Sequence, residues 1–196
     1  MTYTATITSA SLRLRECRII AGLLLKGVSQ LEWKQTTLEQ NVLQMESPES
    51  VRRISGLLRA RLEPFGPDLW RLVHQGETVA ATQAVLAGAI KNSRLLGDFM
   101  DLTLREQNAL FAPKLEYRLW NDYIAGCRAR DAEMPDWSHS TLDRLRSAVF
   151  SMLAQAGYLK DTRSLVLQNV FLDEELVNIL RHQGEDYVLR CMQVME

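Results

Sequence analysis

The chain has 196 residues, 46% of them hydrophobic and 24% charged, with a formal net charge of −1 and a pI near 6.3. That supports a sizeable core in one domain or two small ones, and argues against extended disorder. It also excludes the general affinity for polyanions that a strongly basic chain carries, so any phosphate binding has to come from a local patch.

The charge is uneven. Residues 1–65 hold nine Lys/Arg against six Asp/Glu, whereas residues 164–196 hold two against six. Arginine dominates, eighteen against five lysines, and its planar fork suits phosphate or carboxylate contacts better than lysine does. A biased genome composition gives the same excess. Cys17, Cys127 and Cys191 are isolated and form no CxxC, which argues against zinc and disulfides and fits a reducing cytoplasm. The start, "MTYTATITSA", has no signal-peptide pattern. The apolar run "IIAGLLL" is seven residues long, far short of the roughly 20 needed to cross a bilayer, so no membrane association is expected.

Ser9 or Ser11 is expected to cap a first helix running to about Lys26, with Leu12, Ile19 and Leu23 turned inward, Cys17 beside them, and Gly27 as its stop. A second helix is predicted from Ser29 to about Met45, on the spacing of Leu31, Leu38, Val42 and Met45. The third start is the clearest: Ser47 as N-cap, Pro48 in the first helical position, and a stripe of Val51, Ile54, Leu58, Leu62 and Phe65. "PDLWRLVHQG" reads as a short helix. A long helical region from Thr78 to about Ala112, broken near Asn92–Ser93, includes the small-residue run "AATQAVLAGAI" that suits the centre of a bundle.

After Pro113 a helix is predicted in "LEYRLWNDYIAGCRAR", then a loop in "DAEMPDWSHS". "STLDRLRSAVFSMLAQAGYL" predicts a helix capped at Ser140, with Asp143 completing a capping box and Gly157 as its left-handed stop. "YLKDTRSLVLQNVF" then reads as a short β-hairpin, and two further helices start at Asp173 and about Asp186. Helix followed by hairpin is the order of a winged helix. The predicted architecture is mainly α: a helical bundle over 1–112 and a winged-helix-like unit over 113–196.

Candidate binding residues follow from helix geometry. Arg52, Arg53 and Arg59 turn away from the apolar stripe of the third helix, whose Ser47–Pro48 start also offers backbone N–H groups and a positive dipole end. Arg13 and Arg15 crowd the first helix, Arg144 lies on the outward face of the winged-helix helix, and Lys160 and Arg163 occupy its wing tip. The alternative for the third-helix arginines is surface ion pairing with Glu49 and Glu63, of small energetic value. No GxxxxGK[ST], HExxH or GxSxG pattern occurs, and His74, His139 and His182 have no partner at ligand spacing. Neither enzymatic activity, a metal nor a cofactor is expected.

Three segments, "IIAGLLLKGVSQLEW", "QNVLQMESPESVRRISGLLRARL" and "WSHSTLDRLRSAVFSMLAQAGYL", in this order, resemble the BrxA family of bacterial BREX phage-defence systems. They are packing and turn patterns, not a catalytic signature. The resemblance implies a small, mainly helical, cytoplasmic protein comparable with the all-α RNA-binding factor NusB. It implies work alongside other defence proteins, with DNA binding as the role and RNA left open. The competing expectation is an adaptor that joins defence proteins without touching nucleic acid, which the near-zero net charge and acidic C-terminal segment would suit.

Overall fold

The computed structural model describes residues 3–7 and 11–195. They are mainly helical. Helix α1 spans Leu14–Leu25, α2 Gln30–Lys34, α3 Pro48–Leu62, α4 Pro67–Gln75, α5 Thr78–Asn92, α6 Arg94–Asp98 and α7 Arg105–Ala109. After these come α8 at Arg118–Arg130, α9 at His139–Gln155, α10 at Glu174–His182 and α11 at Asp186–Met192. Among the described residues no helix is long and apolar enough to cross a membrane.

Helix α5 is the centre. Residues 83–90, Gln83 included, are all buried, and α1, α3, α4, α6, α10 and α11 lie against it. Its alanines and Gly88 allow that crowding. A Cβ on Gly88 would sit 2.7 Å from the backbone carbonyl oxygen of Arg61 on α3, closer than real side chains come. Helix α3 presents the predicted stripe, with Val51, Ile54, Leu58, Leu62 and Phe65 all buried.

Arg61 departs from expectation. Placed by sequence at the border of the stripe, it is 1% exposed. Its Nη1 donates to the Ser11 carbonyl at 3.2 Å, while Nε and Nη2 have no hydrogen-bond partner. Burial pulls its guanidinium below the usual arginine range.

A second knot joins the two sequence segments. Phe99 packs against Trp120, Tyr123 and Phe150 with ring centroids 5.6, 5.2 and 6.0 Å apart. Beside it the buried Asp98 carboxylate accepts the hydroxyls of Tyr3 and Tyr187, both at 2.7 Å, and pairs with Arg94. Burial, reinforced by Asp98, holds both phenols well above the usual tyrosine range. The core is one cluster from Tyr3 to Val194.

Several boundaries differ from the sequence reading. Helix α1 begins only at Leu14. Arg13 before it is left-handed (φ 55°) and no side chain caps it. The cause is Leu12, which is buried and whose N–H donates to Gln155 Oε1 of α9 at 2.9 Å, pinning the chain before it can turn. Ser9 lies outside the described residues, and Ile20 rather than Ile19 is the fully buried isoleucine. The second helix ends early. After α2, Gln35–Glu39 widens into a π-helix, and Asn41 and Gln44 turn left-handed. The Asn41 side chain clasps Met45 through two hydrogen bonds, at 2.9 and 3.0 Å, a short-range alternative to the helix.

In the C-terminal part, Ser138 rather than Ser140 caps α9, accepting the Thr141 N–H at 3.3 Å. Asp143 pairs with Arg146 at 3.1 Å instead of closing a capping box. Gly157 is left-handed as expected (φ 85°). The segment read as a hairpin forms one antiparallel bridge, Leu159 with Leu167, and Val166 bridges Lys114 on its other side. Leu165, left-handed at φ 53°, interrupts the strand geometry that longer pairing requires.

The α3–α5 contact yields a prediction with an unusual sign. By helix propensity alone, Gly88→Ala should stabilise by about 1 kcal/mol. Contact with the Arg61 carbonyl instead predicts a loss of about 1–3 kcal/mol from overpacking, measured by urea denaturation.

Candidate nucleic-acid interface

The eight cations singled out in the sequence fall into different states. Arg13 pairs with Glu16 at 3.2 Å in the first turn of α1. Arg15 is exposed and donates to Gln44 Oε1 in the turn before α3. Arg59 is committed three ways: to Glu63 Oε1 at 2.8 Å, to Gln30 Oε1 at 3.3 Å, and to the Trp33 ring with its guanidinium carbon 4.7 Å from the centroid. Ion pairing with Glu63 therefore holds for Arg59. Arg52 and Arg53 differ: both are exposed, and their guanidiniums bond to no described residue.

The start of α3 offers less than its sequence suggests. Pro48 has no N–H, the Ser50 N–H is taken by the Ser47 hydroxyl at 3.2 Å, and the Val51 N–H by the Ser47 carbonyl at 3.0 Å. Glu49 adds a negative charge in the same turn. A phosphate at α3 would be held by Arg52 and Arg53 more than by the helix end.

The second group gathers around the turn 160–164. The Asp161 carboxylate accepts the N–H groups of Ser164 at 2.7 Å and Arg163 at 2.8 Å, and the Ser164 hydroxyl at 2.9 Å. These bonds, led by the Ser164 N–H, lower its pKa. Asp161 thus serves the turn, while Lys160 and Arg163 are exposed and their side chains bond to no described residue.

Tyr117, which was not among the sequence candidates, connects this turn to α9. Its hydroxyl is 3.4 Å from the Thr162 carbonyl and the Arg146 guanidinium lies 5.3 Å from its ring centroid. Lys114 is exposed on the adjoining bridge. Arg144 is also exposed, but two residues from Arg146 it points about 160° away around α9. The structure therefore links Lys160 and Arg163 through Tyr117 and sets Arg144 on another flank. The interleaved "PKLEYRLW" carried the missed signal: cations around an aromatic at the start of a helix.

His74 and His182 each place Nδ1 against a backbone carbonyl, of Arg18 at 2.9 Å and of Asn178 at 2.7 Å, an acceptor to which Nδ1–H donates. Among the described residues no group of three or more His, Cys, Asp or Glu is arranged to hold a metal.

If Asp161 shapes the turn, Asp161→Ala should accelerate amide exchange at Arg163 and Ser164 by at least roughly fivefold, about the effect of losing one hydrogen bond of 1 kcal/mol. Exchange in α5 should stay unchanged. Hydrogen exchange followed by NMR measures both.

The family model of BrxA matches residues 1–184. A protein of Paramagnetospirillum magneticum (strain ATCC 700264 / AMB-1) named BREX protein BrxA is 46% identical over 192 residues, covering 98% of this chain and 96% of that one. Proteins of the same name from Escherichia coli O9:H4 (strain HS) and Bacillus cereus (strain H3081.97) are 25% and 24% identical, over 91% and 93% of this chain and 84% and 92% of theirs. A crystal structure of an uncharacterized protein from Magnetospirillum magneticum superposes with a TM-score of 0.92 at 45% identity, covering 98% of each chain. The chain belongs to the BrxA family.

Proposed function

We propose that this chain is a non-enzymatic, nucleic-acid-binding member of a bacterial BREX phage-defence system, acting in the cytoplasm beside other BREX proteins, with double-stranded DNA as its ligand. The family membership supports the BREX assignment. The observation that carries nucleic-acid binding is that five of the eight candidate cations are exposed and have no side-chain partner among the described residues: Arg52 and Arg53 on α3, Arg144 on α9, and Lys160 and Arg163 on the turn. Folding explains the positions of Arg13, Arg59 and Arg61, which are spent on Glu16, on Glu63 and Trp33, and on Ser11. It does not explain the five others.

In this reading the N-terminal helices form a NusB-like bundle. Helix α9 and the segment to Gln168 form a winged-helix-like unit whose wing is reduced to one bridge. Contacts from arginine and lysine to phosphates fix position and read no sequence.

A second reading, a protein adaptor, is favoured by one feature. Phe111 is 92% exposed in a left-handed conformation (φ 53°), beside a cleft of about 410 Å³ that Pro113, Leu167, Val194 and Met195 also line. A bulky side chain held so costs backbone strain as well as apolar exposure. The two readings are compatible, since the cleft shares no residue with the cations above.

The test replaces Arg52 and Arg53 together with Glu and measures duplex binding by filter retention across salt concentrations. Affinity should fall equally on unrelated sequences. The slope of log K against log salt should shrink by about two, roughly one per lost phosphate contact. The melting temperature should hold, because exposed substitutions usually cost within about 0.5 kcal/mol. A folded variant with unchanged affinity and slope would remove α3 from the interface and leave the adaptor reading.

A further inference from the structure

We propose that Tyr117, together with the Arg146 guanidinium on its ring, is a stacking platform for an unpaired nucleotide base. The site then prefers nucleic acid with bases out of the duplex stack over flush duplex. This rests on the nucleic-acid-binding reading above and goes further by naming the feature recognised.

Tyr117 is 52% exposed. The other ring–cation pairs among the described residues use rings closed to solvent or partly so: Trp33 and Phe65 are buried and Tyr187 is half-buried. In those pairs the cation seals the core edge. At Tyr117 the aromatic stays at the surface, with the half-buried Arg146 guanidinium against it, and both are flat groups on which bases stack.

The platform is held firmly. Tyr117 packs on Phe150 of α9, centroids 5.9 Å apart, and Phe150 belongs to the Phe99–Trp120 cluster. Its hydroxyl meets the Thr162 carbonyl at 3.4 Å. The Leu115 backbone N–H donates to the Leu165 carbonyl at 2.9 Å and the Lys160 backbone N–H to the Val166 carbonyl at 2.9 Å, so the segments carrying Lys114, Tyr117, Lys160 and Arg163 are tied together.

Charge completes the argument. The acids nearby are engaged: Glu116 with Arg118 at 2.5 Å, Asp143 with Arg146 at 3.1 Å, and Asp161 with its own turn. Lys114, Lys160 and Arg163 are exposed and form no ion pair among the described residues, although the Asp161 carboxylate keeps its charge beside Lys160. Exposed aromatic surface flanked by free cations is the combination that binds single strands, with the cations tracking phosphates while the ring takes a base. A protein partner with acidic residues could use the cations but would gain little from the exposed part of the Tyr117 ring.

The experiment uses the full chain and three labelled probes at one salt concentration: a flush 20-base-pair duplex, that duplex with a three-nucleotide bulge, and a 20-nucleotide single strand. Fluorescence anisotropy gives the affinities. The wild type should bind the bulged duplex and single strand more tightly than the flush duplex. Tyr117→Leu, which keeps an apolar contact for Phe150 but no ring, should lose roughly tenfold on the bulged and single-stranded probes, the scale of one lost base stack. It should change flush-duplex affinity less than about twofold. Tyr117→Phe should keep the preference, which separates stacking from the Thr162 contact. Equal loss on all three probes would mean that Tyr117 only positions the turn, and would overturn the proposal. A wild type that binds duplex without preferring unpaired bases would also overturn it while sparing the proposed function. A wild type that binds none of the probes would sink both.

Discussion

The contact on which the rest of this structure depends is that of α5 with α3, where Gly88 lets the two backbones approach to a distance that excludes even a methyl group. Six helices share the surface of α5, and only a helix built largely of alanine and glycine is thin enough to serve them all. The approach also fixes α3 in register and in rotation. Its apolar stripe meets α5, the Arg61 guanidinium is carried inward to the Ser11 carbonyl, and Arg52 and Arg53 are left facing solvent. The exposure of those two arginines follows from how closely α3 is held.

The same reasoning sorts the remaining cations. A charge buried in the fold needs a partner, and most arginines near the core have one: Arg94 on Asp98, Arg105 on Asp101, Arg18 on the carbonyls of His74 and Gly76. A net charge of −1 therefore says little about the surface, because acids and bases cancel within the structure before a ligand meets them. What remains uncancelled includes Arg52 and Arg53 on α3, Arg144 on α9 and the cations around Tyr117, with Lys26, Lys34 and Arg181 exposed elsewhere. Arg61 is the exception, a deeply buried guanidinium with one hydrogen bond. No interaction among the described residues balances its desolvation.

Much of the helical framework was legible in the sequence because its signals are local. Ser47–Pro48, the Ser93 break, Gly157 and Asp173 each act on the backbone within a few residues, and each acts in the structure as read. The misreadings came from contacts made at a distance or from side chains competing with the helix. The late start of α1 is set by Gln155, 143 positions along the chain from Leu12. The second helix stops where Asn41 bonds to Met45 although the apolar spacing continues. The hairpin shrinks to a bridge because Leu165 goes left-handed and Val166 is shared with Lys114. Among the candidate cations, helix periodicity separated outward from inward correctly for Arg52 and Arg53. It could not show that Trp33 and Gln30 would claim Arg59, nor that Tyr117 would draw Arg146 to its ring.

The central claim is the proposal that the helical framework presents the α3 arginines and the turn at 160–164 to one nucleic acid. Hydrogen–deuterium exchange of the full chain, with and without saturating duplex DNA, tests it most directly. The account predicts slowed exchange in residues 41–53 and 158–168, with residues 174–192 unchanged. Slowing confined to residues 105–113 and 190–195, around the Phe111 cleft, or no slowing anywhere, would contradict it.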